Sequence, residues 1–278
     1  MSGTLLVVAT PIGNLEDITL RALRVLEEAK LIAAEDTRVT AKLLSRYEIA
    51  TPRWSFREQN AASAIPRLLE RLEAGDDIAL VCDAGTPGIS DPGVALVEAA
   101  AKAGYTVTPI PGASALAAAM SVAALAGEGV RFAGFLPRSG KDRRERLAEI
   151  AADRSCTVLY ESPNRLAETL RDLEGACGSS RRAVVLRELT KLHEEVARGS
   201  LAELASRFAE GARGEIAIAV EGAEKKVIAV DDETLRAAIA DLLASGSSAR
   251  DSAAAAAEEL GVARKRAYTL ALEEAKKR

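Results

Sequence analysis

The sequence IALVCDAGTPGISDPG, residues 78–93, joins a short apolar run to a turn rich in glycine and proline. Residues 78–81 predict a β-strand, because the run is short, apolar and bounded by turn residues. Three glycines and two prolines then restrict the backbone of residues 83–93 to a defined loop. Open α/β sheets bind their ligands at such carboxyl ends of strands. The stretch therefore predicts an α/β fold with a ligand site at this strand end.

The same arrangement occurs twice more along the chain. An apolar run at 5–8 leads into ATPIGNL at 9–15, and a run at 105–110 leads into PGASA at 111–115. Neither loop has the GxGxxG pattern of dinucleotide sites or the GxxxxGK[ST] pattern of phosphate-binding loops, so nucleotide hydrolysis is not supported. Three loops of this kind after three strands favour one shared ligand site over ordinary turns.

Strands and helices alternate over the first 230 residues, which predicts α/β architecture with largely parallel sheets. The predicted strands are 5–8, 31–33, 78–81, 105–110, 130–135, 157–160, 183–187 and 216–220. Two glycines at 127 and 129 interrupt an alanine-rich helix and mark an internal boundary. We therefore predict an N-terminal α/β domain at 1–122, a second α/β domain at 123–230 and a helix-turn-helix-like unit of three helices at 231–278.

Composition excludes several classes of protein. With 278 residues, 48% of them apolar, the chain can bury a large core and is neither collagen-like nor disordered. Three cysteines, an odd number, argue against a disulfide framework and for a reducing cytosol. We expect no membrane span and no signal peptide. A net charge of −4 disfavours a general nucleic-acid coat but is compatible with a local basic patch.

Seven ordered motifs carry a family resemblance. They are TPIGNLEDIT (10–19), AEDTR (34–38), DAGTPGISDPG (83–93), PGASA (111–115), GFLPR (134–138), YESPNR (160–165) and RELTKLHEE (187–195). Together they resemble the family of ribosomal RNA small subunit methyltransferase I, part of the tetrapyrrole-methylase superfamily. The resemblance is collinear over residues 4–222 and extends to the C-terminal helices.

The resemblance implies both a fold and an activity. The expected fold has two α/β domains with S-adenosylmethionine bound in the cleft between them, and the expected assembly is a homodimer. The expected reaction is methylation of the ribose 2′-hydroxyl of a cytidine in the decoding region of 16S rRNA. The substrate implied is the assembled small ribosomal subunit, and the location implied is the cytoplasm.

The cofactor site implied by the resemblance draws on all three loops and on the end of a second-domain strand. Asp83 matches the family carboxylate near the cofactor, with oxygens suited to ribose hydroxyls or to an amino group. The complete set is Ile12, Gly13, Asp83, Gly85, Thr86, Ser114, Ala115 and Tyr160.

A positioned general base would assist attack by a 2′-hydroxyl, which is a poor nucleophile. The candidates are Glu35, Asp36, Glu161, Glu188, Lys191 and His193. We favour Glu161 and Asp36 as catalytic residues, without assigning the proton to either. The alternative for Asp36 is a structural ion pair with Arg38, and His193 fits a surface strand. Lys191 needs a depressed pKa to act as a base.

Basic residues predict where RNA would bind. Residues 138–146 contain five basic and two acidic side chains and resemble a mobile basic loop at the cleft mouth, the alternative being a solvated helix start. In the C-terminal unit, RNA contact and a solvated helix end are equally open. The predicted RNA-binding residues are Arg38, Arg57, Arg138, Lys141, Arg143, Arg144, Arg146, Arg264, Lys265 and Arg266. With few aromatic residues for stacking, we expect recognition through shape, phosphates and the 2′-hydroxyl.

The sequence departs from the family pattern at four positions. Arg57 and Gln59 stand where relatives often have histidine, Asn164 replaces the histidine of YESPHR, and Cys82 replaces a serine. Because these positions lack metal-ligating histidines, we predict no metal site.

Two alternatives remain open. The first is a corrinoid-pathway or diphthine-type methyltransferase acting on a small molecule or a protein. The second is a non-enzymatic DNA-binding protein that reads DNA with its C-terminal helices. A recognition helix of that kind should be strongly basic, whereas only Arg264, Lys265 and Arg266 are candidates.

Overall fold

The computed structural model describes residues 2–90, 93–224 and 231–276. The chain divides into two compact units, Met1–Ala223 and Glu224–Arg278. Asp91 and Pro92 of the strand-end loop, and the predicted boundary at residue 230, lie outside the described residues.

A five-stranded sheet forms the first half of the larger unit. Its strands are β1 (Thr4–Val8), β2 (Leu31–Ala34), β3 (Arg53–Ser55), β4 (Ile78–Val81) and β5 (Thr106–Ile110). The strand order is β3-β2-β4-β1-β5, and every neighbouring pair is parallel. The central strands β2 and β4 are buried at every residue, which explains their continuous apolar sequences.

Helices cover both faces of this sheet. They are α1 (Leu20–Glu28), α2 (Thr37–Arg46), α3 (Ala61–Glu73) and α4 (Val94–Lys102). Leucines of α1 and α2 pack on one face, and those of α3 and α4 pack on the other. The chain leaves β1 towards β2 but leaves β4 towards β5, although β1 and β4 are neighbours. The helices that follow β1 and β4, α1 and α4, pack on opposite faces. The loops after these two neighbouring strands therefore leave the sheet towards opposite faces, at a topological switch point where open α/β sheets bind ligands.

The second half of the larger unit contains another five-stranded sheet. Its strands are β6 (Val130–Phe135), β7 (Cys156–Glu161), β8 (Arg182–Arg187), β9 (Glu195–Ser200) and β10 (Ile216–Val220). The order is β6-β7-β10-β8-β9, and only β6 and β7 are parallel. The prediction of largely parallel sheets is therefore right for the first sheet and wrong for the second. Apolar runs identify buried strands but do not show the direction of their neighbours.

Helices of unequal number cover the two faces of the second sheet. They are α5 (Ala115–Ala123), α6 (Gly140–Ala152), α7 (Leu166–Cys177) and α8 (Leu201–Arg207). Leucines of α6, α7 and α8 pack on one face. Ala119 and Ala123 of α5 pack on the other, although α5 follows the last strand of the first sheet. The PGASA loop therefore leads directly from the first sheet to the second.

The C-terminal unit consists of α9 (Asp232–Ala244), α10 (Ala249–Glu259) and α11 (Arg264–Lys276). Asp231 and Ser248 cap the first two helices by accepting backbone hydrogen bonds. Alanines of α10 and leucines of the other two helices form its core. The three predicted helices are confirmed.

Each of the eight predicted strands coincides with an observed strand to within one residue at either end. The sequence did not predict β3, which has only three residues. The half-exposed β9 was anticipated only through the alternating pattern around His193. Within the described ranges, no helix is long and apolar enough to cross a membrane.

Candidate active site

The three glycine-rich loops interlock at the carboxyl edge of the first sheet. The backbone N–H of Thr10 donates to Gly85 O (2.8 Å), and Gly85 N–H donates back to Thr10 O (3.0 Å). The Thr86 hydroxyl donates to Ala113 O at 3.3 Å. The loops after β1, β4 and β5 are therefore bonded into one surface, as the sequence predicted.

Two glycines allow this close approach. Gly85 has φ of +80°, and a Cβ there would lie 3.4 Å from Cγ2 of the buried Ile12. At Gly112 a Cβ would lie 3.1 Å from Ala9 Cβ. A side chain at Gly112 would crowd Ala9, and one at Gly85 would be strained by the positive φ, so glycine at these positions permits the close approach of the loops.

The groups at this edge fit S-adenosylmethionine. Asp83 is exposed, and only its Oδ1 accepts a hydrogen bond from the described residues, which leaves Oδ2 for a ligand. Ser114 caps α5, whose first residue is Ala115. The first N–H groups of a helix are free to bind an anion such as an amino-acid carboxylate. The Asp83 carboxylate can therefore bind the ribose hydroxyls or the ammonium group of the ligand. The first N–H groups of α5, on the same loop surface, can bind its carboxylate.

Three acidic residues lie where β2 and β4 end, joined by hydrogen bonds from backbone N–H groups to carboxylates. Asp36 N–H donates to Asp83 Oδ1 (2.9 Å), and Asp83 N–H donates to Glu35 Oε2 (3.3 Å). These two hydrogen bonds join residues that are 47 and 48 positions apart in the sequence, because β2 and β4 are neighbours in the sheet. We call Glu35, Asp36 and Asp83 the acidic cluster.

The pKa values of Glu35 and Asp36 shift in opposite directions. Burial, with the negative charge of Asp83 adding to it, raises the pKa of Glu35, against the opposing effects of the Asp83 N–H and Arg57. Hydrogen bonds from Arg38, with the charges of Arg38 and Arg57, hold the pKa of Asp36 well below its usual range. A higher pKa makes a carboxylate a better proton acceptor. Glu35 is therefore better suited to act as a base than Asp36.

Asp36 has a structural role that accounts for its conformation. Its side chain caps α2 and forms a salt bridge to the Arg38 guanidinium at 2.6 Å. Arg57 approaches it at 3.3 Å and donates to Glu35 O at 2.9 Å. This is the structural ion pair considered from the sequence as the alternative, and the catalytic role of Asp36 stays a prediction that its low pKa disfavours.

Glu161, the other favoured catalytic residue, lies beneath the surface. Its Oε2 accepts a hydrogen bond from the Thr169 hydroxyl (2.6 Å), its Oε1 accepts one from Ser162 N–H (2.8 Å), and Arg165 Nε lies 3.4 Å away. The side chain has no exposed surface. Side chains alternate along a strand, and Glu161 faces α7 while Tyr160 faces α5. We therefore replace the predicted catalytic role of Glu161 with a structural one.

Tyr160 lies on the face of β7 that α5 covers. Its ring forms edge contacts with Phe132 at 4.8 Å and Phe135 at 5.9 Å between centroids. The side chain is half-buried. Its part in cofactor binding stays a prediction.

The first loop meets a turn of the second sheet at Gly13. A Cβ at Gly13 would lie 2.5 Å from Lys191 Cγ and 2.8 Å from Thr190 Oγ1. Burial alone lowers the pKa of Lys191, but its hydrogen bonds to Glu188 and Glu215 outweigh burial and raise it. Lys191 therefore stays protonated at neutral pH and is not a base.

His193, placed on a surface strand by its sequence pattern, lies instead in an exposed turn before β9. The two exposed residues beside it, Leu192 and Glu194, belong to the same turn. The alternation that predicted a strand begins only at Glu195.

The expected mobile basic loop is a helix for most of its length, because α6 begins at Gly140. Arg143 is buried, where its Nε donates to Asp172 Oδ2 (2.7 Å) and another nitrogen donates to Thr169 Oγ1 (3.0 Å). Its predicted contact with RNA is therefore wrong, because its charge is already paired inside the fold.

The other predicted RNA-binding residues in this region are partly or fully exposed. Lys141 pairs with Glu145 and Arg146 with Glu149. Arg138 and Arg144 form no ion pair within the described part of the chain.

The C-terminal basic residues also differ from one another. Arg264 and Lys265 are exposed at the start of α11, and neither forms an ion pair with a described residue. Arg266 forms a salt bridge to Asp232 at 2.6 Å and thereby ties α11 to α9. Arg264 and Lys265 remain candidates for RNA contact, whereas Arg266 has a packing role. In the described part of the chain, no three His, Cys, Asp or Glu residues are placed to hold a metal ion.

Comparison with known proteins identifies the family. The family model of the Tetrapyrrole (Corrin/Porphyrin) Methylases matches residues 4–205. The chain is 43% identical over 273 residues to the ribosomal RNA small subunit methyltransferase I of Synechocystis sp., covering 98% of each chain. The chain belongs to the ribosomal RNA small subunit methyltransferase I family. The family's protein of this name in Thermotoga maritima is 46% identical over 223 residues, which are 80% of this chain and 100% of that protein.

Solved structures confirm the tetrapyrrole-methylase fold of this family member. The cobalt precorrin-4 methyltransferase CbiF superposes with a TM-score of 0.60 at 18% identity, covering 78% of this chain and 94% of that one. The uroporphyrin-III C-methyl transferase of Thermus thermophilus in complex with S-adenyl homocysteine gives 0.56 at 19% identity, covering 78% and 96%. S-Adenosylmethionine is the expected cofactor of this methyltransferase family member.

Glu35 is one of the candidate bases in the sequence, but no local pattern distinguishes it from the others. Glu35 is the first residue after β2, and Asp83 is the second residue after β4. Only the strand order, which makes β2 and β4 neighbours, brings the two carboxylates together.

Proposed function

We propose that the protein transfers a methyl group from S-adenosylmethionine to the ribose 2′-hydroxyl of a cytidine in the decoding region of 16S rRNA, within the assembled small ribosomal subunit. The observation that carries this proposal is the surface of three interlocked loops beside the exposed Asp83. The name of the two relatives supplies the substrate class.

Residues of this chain position the reactants in the proposed reaction. S-Adenosylmethionine supplies an electrophilic methyl group, so that the new O–C bond forms as the C–S bond breaks. Asp83 and the loop residues Gly85, Thr86 and Ser114 hold the donor along the carboxyl edge of the first sheet. Because the displacement is in line, holding both reactants in the correct orientation provides much of the rate.

Glu35 accepts the hydroxyl proton in this proposal. Its carboxylate reaches Asp83 N–H at 3.3 Å, so it lies beside the donor-binding carboxylate. Its raised pKa, caused mainly by burial, suits proton transfer better than the depressed pKa of Asp36. Asp36 and Arg57 then act as positioning residues, because Arg57 donates to the carbonyl oxygen of Glu35 and pairs with the carboxylate of the next residue, Asp36.

The substrate surface in this proposal includes Arg138 and Arg144 next to and on α6. Both are exposed and have no acidic partner in the described ranges, so their charges are available to phosphates. Arg264 and Lys265 of the C-terminal unit provide a second basic surface. All three interlocked loops lie in the larger unit, so we expect the C-terminal unit to add affinity without being required for chemistry.

Methyl transfer to defined ribosomal substrates tests the proposal. Small subunits lacking decoding-region methylation are incubated with labelled S-adenosylmethionine, with protein-free rRNA in parallel, and the nucleosides are identified by mass. We expect 2′-O-methylcytidine from subunits and little from free rRNA. Absence of incorporation, with cofactor binding intact, would contradict the proposal and direct attention to a small-molecule or protein acceptor. The homodimer and the cytoplasmic location stay predictions.

A further inference from the structure

A cavity of about 420 Å³ lies at the outer edge of the first sheet. It is formed where β3 ends and α3 begins, and its walls include Arg53, Trp54, Ser55, Asn60 and Arg67. The volume falls within the range of about 300–1,000 Å³ that is usual for ligand sites. None of the residues assigned to methyl-donor binding lines this cavity.

The lining of the cavity suits a group that is both flat and negatively charged. It contains two arginines and no carboxylate. Within the described residues neither Arg53 nor Arg67 has an acidic partner, whereas Arg71 nearby is paired with Asp76 at 2.6 Å. Two guanidinium groups without a carboxylate partner among the described residues, in one concave site, favour an anion such as a phosphate.

An aromatic platform forms one wall. The guanidinium carbon of Arg67 lies 4.6 Å from the ring centroid of Trp54, and that of Arg71 lies 5.6 Å away. Trp54 itself is half-buried against α3. Nucleic-acid bases stack on aromatic rings and on the planes of arginine side chains. The cavity thus combines the positive charge of its arginines, the flat ring of Trp54 and the hydroxyl groups of its serines. This combination matches a nucleotide better than a simple anion.

The cavity is continuous in the chain with the acidic cluster. Thr37, which lines the cavity, directly follows Asp36, and Phe56 directly precedes Arg57. Arg57 in turn donates to Glu35 O at 2.9 Å. A ligand in the cavity is thus held by the same two turns that position Glu35 and Asp36.

We infer that this cavity binds one nucleotide of the RNA substrate outside the methylated position, with its base on Arg67 and Trp54 and its phosphate at Arg53. The inference rests on the proposed function for the identity of the polymer. It gives the enzyme a way to hold the strand on the first sheet while the target ribose lies at the acidic cluster.

Trp54 provides a direct readout, because it is the single tryptophan of the chain. The full-length protein is titrated with a ten-nucleotide single-stranded RNA of mixed sequence while tryptophan emission is followed. We expect saturable quenching by RNA. In the R53Q/R67Q variant the RNA concentration at the midpoint should rise at least 10-fold. The slope of log affinity against log salt concentration should become less steep by about 0.7, the value for one lost phosphate contact.

A matched variant controls for loss of charge alone. R21Q/R24Q removes two exposed arginines from α1, which packs on the opposite face of the same sheet. It should quench with the wild-type midpoint. Thermal unfolding of both variants establishes that each is folded, and a titration with inorganic phosphate tests the contribution of the base.

The outcomes separate this inference from the proposed function. No quenching by RNA, quenching by inorganic phosphate as strong as by RNA, or equal midpoints in R53Q/R67Q and wild type would each overturn the nucleotide site. Methylation of subunits by the wild-type enzyme would in those cases leave the proposed function standing. Quenching that R53Q/R67Q weakens, in an enzyme that does not methylate subunits, would support the cavity and contradict the proposed function.

Discussion

Asp83 and Glu161 are both carboxylates at the carboxyl ends of buried strands, yet they occupy opposite environments. Asp83 comes two residues after β4, is exposed and bonds the described residues through only one oxygen. Glu161 is the last residue of β7, has no exposed surface and bonds Ser162, Thr169 and Arg165. A position at a strand end therefore does not by itself make a carboxylate part of a site. Its face of the sheet and its partners decide whether a ligand can reach it.

The largest expected effect is the loss of the donor site on removing the Asp83 carboxylate. Hydrogen bonds to charged groups contribute about 1.5–3 kcal/mol each, so losing two should weaken binding more than 100-fold. Calorimetry with S-adenosylmethionine measures the loss in Asp83→Ala, and thermal unfolding shows that the variant is folded. Unchanged affinity would remove Asp83 from the donor site.

Glu35→Gln should lower kcat by about 100-fold, at the lower end of what general-base catalysis contributes. Affinity for S-adenosylmethionine should remain, because Asp83 is intact. The wild-type kcat should fall as pH drops through the raised pKa of Glu35, since the protonated carboxyl cannot accept a proton. Steady-state kinetics across pH would contradict this role if Glu35→Gln kept the wild-type rate and profile.

Glu161→Ala should act on stability and not on donor binding. Removing this carboxylate leaves the Thr169 hydroxyl and the Arg165 charge without their partner, at a cost of about 2–3 kcal/mol in the free energy of unfolding. Urea unfolding measures that loss, and Glu161→Gln should lose less because it keeps an acceptor for Thr169. A stable Glu161→Ala protein that no longer binds S-adenosylmethionine would reverse the comparison with Asp83.

The smallest effect is expected at the surface of the second half of the larger unit. R138Q/R144Q should raise KM for small subunits about 10-fold through lost phosphate contacts and leave kcat nearly unchanged. R21Q/R24Q serves as the control with the same change in charge. The difference between the two variants should shrink as salt rises, and a salt-independent difference would argue against phosphate contact.

Local sequence was sufficient for some features of this molecule and not for others. Apolar runs located eight strands, and the glycine-rich loops located the carboxyl edge of the first sheet. The sequence did not show that the Glu161 side chain lies on the face of β7 that α7 covers. It also did not show that Arg143 is buried, because its partner Asp172 is 29 residues away. Long-range pairing also created the acidic cluster, because β2 and β4 are neighbours only in the folded sheet.

A crystal structure of the protein with bound S-adenosylhomocysteine tests the central claim most directly. We expect the ligand on the loops after β1, β4 and β5, with a hydrogen bond to Asp83 and no contact with Glu161. A ligand bound in the Trp54 cavity, or one that leaves Asp83 without a contact, would contradict it.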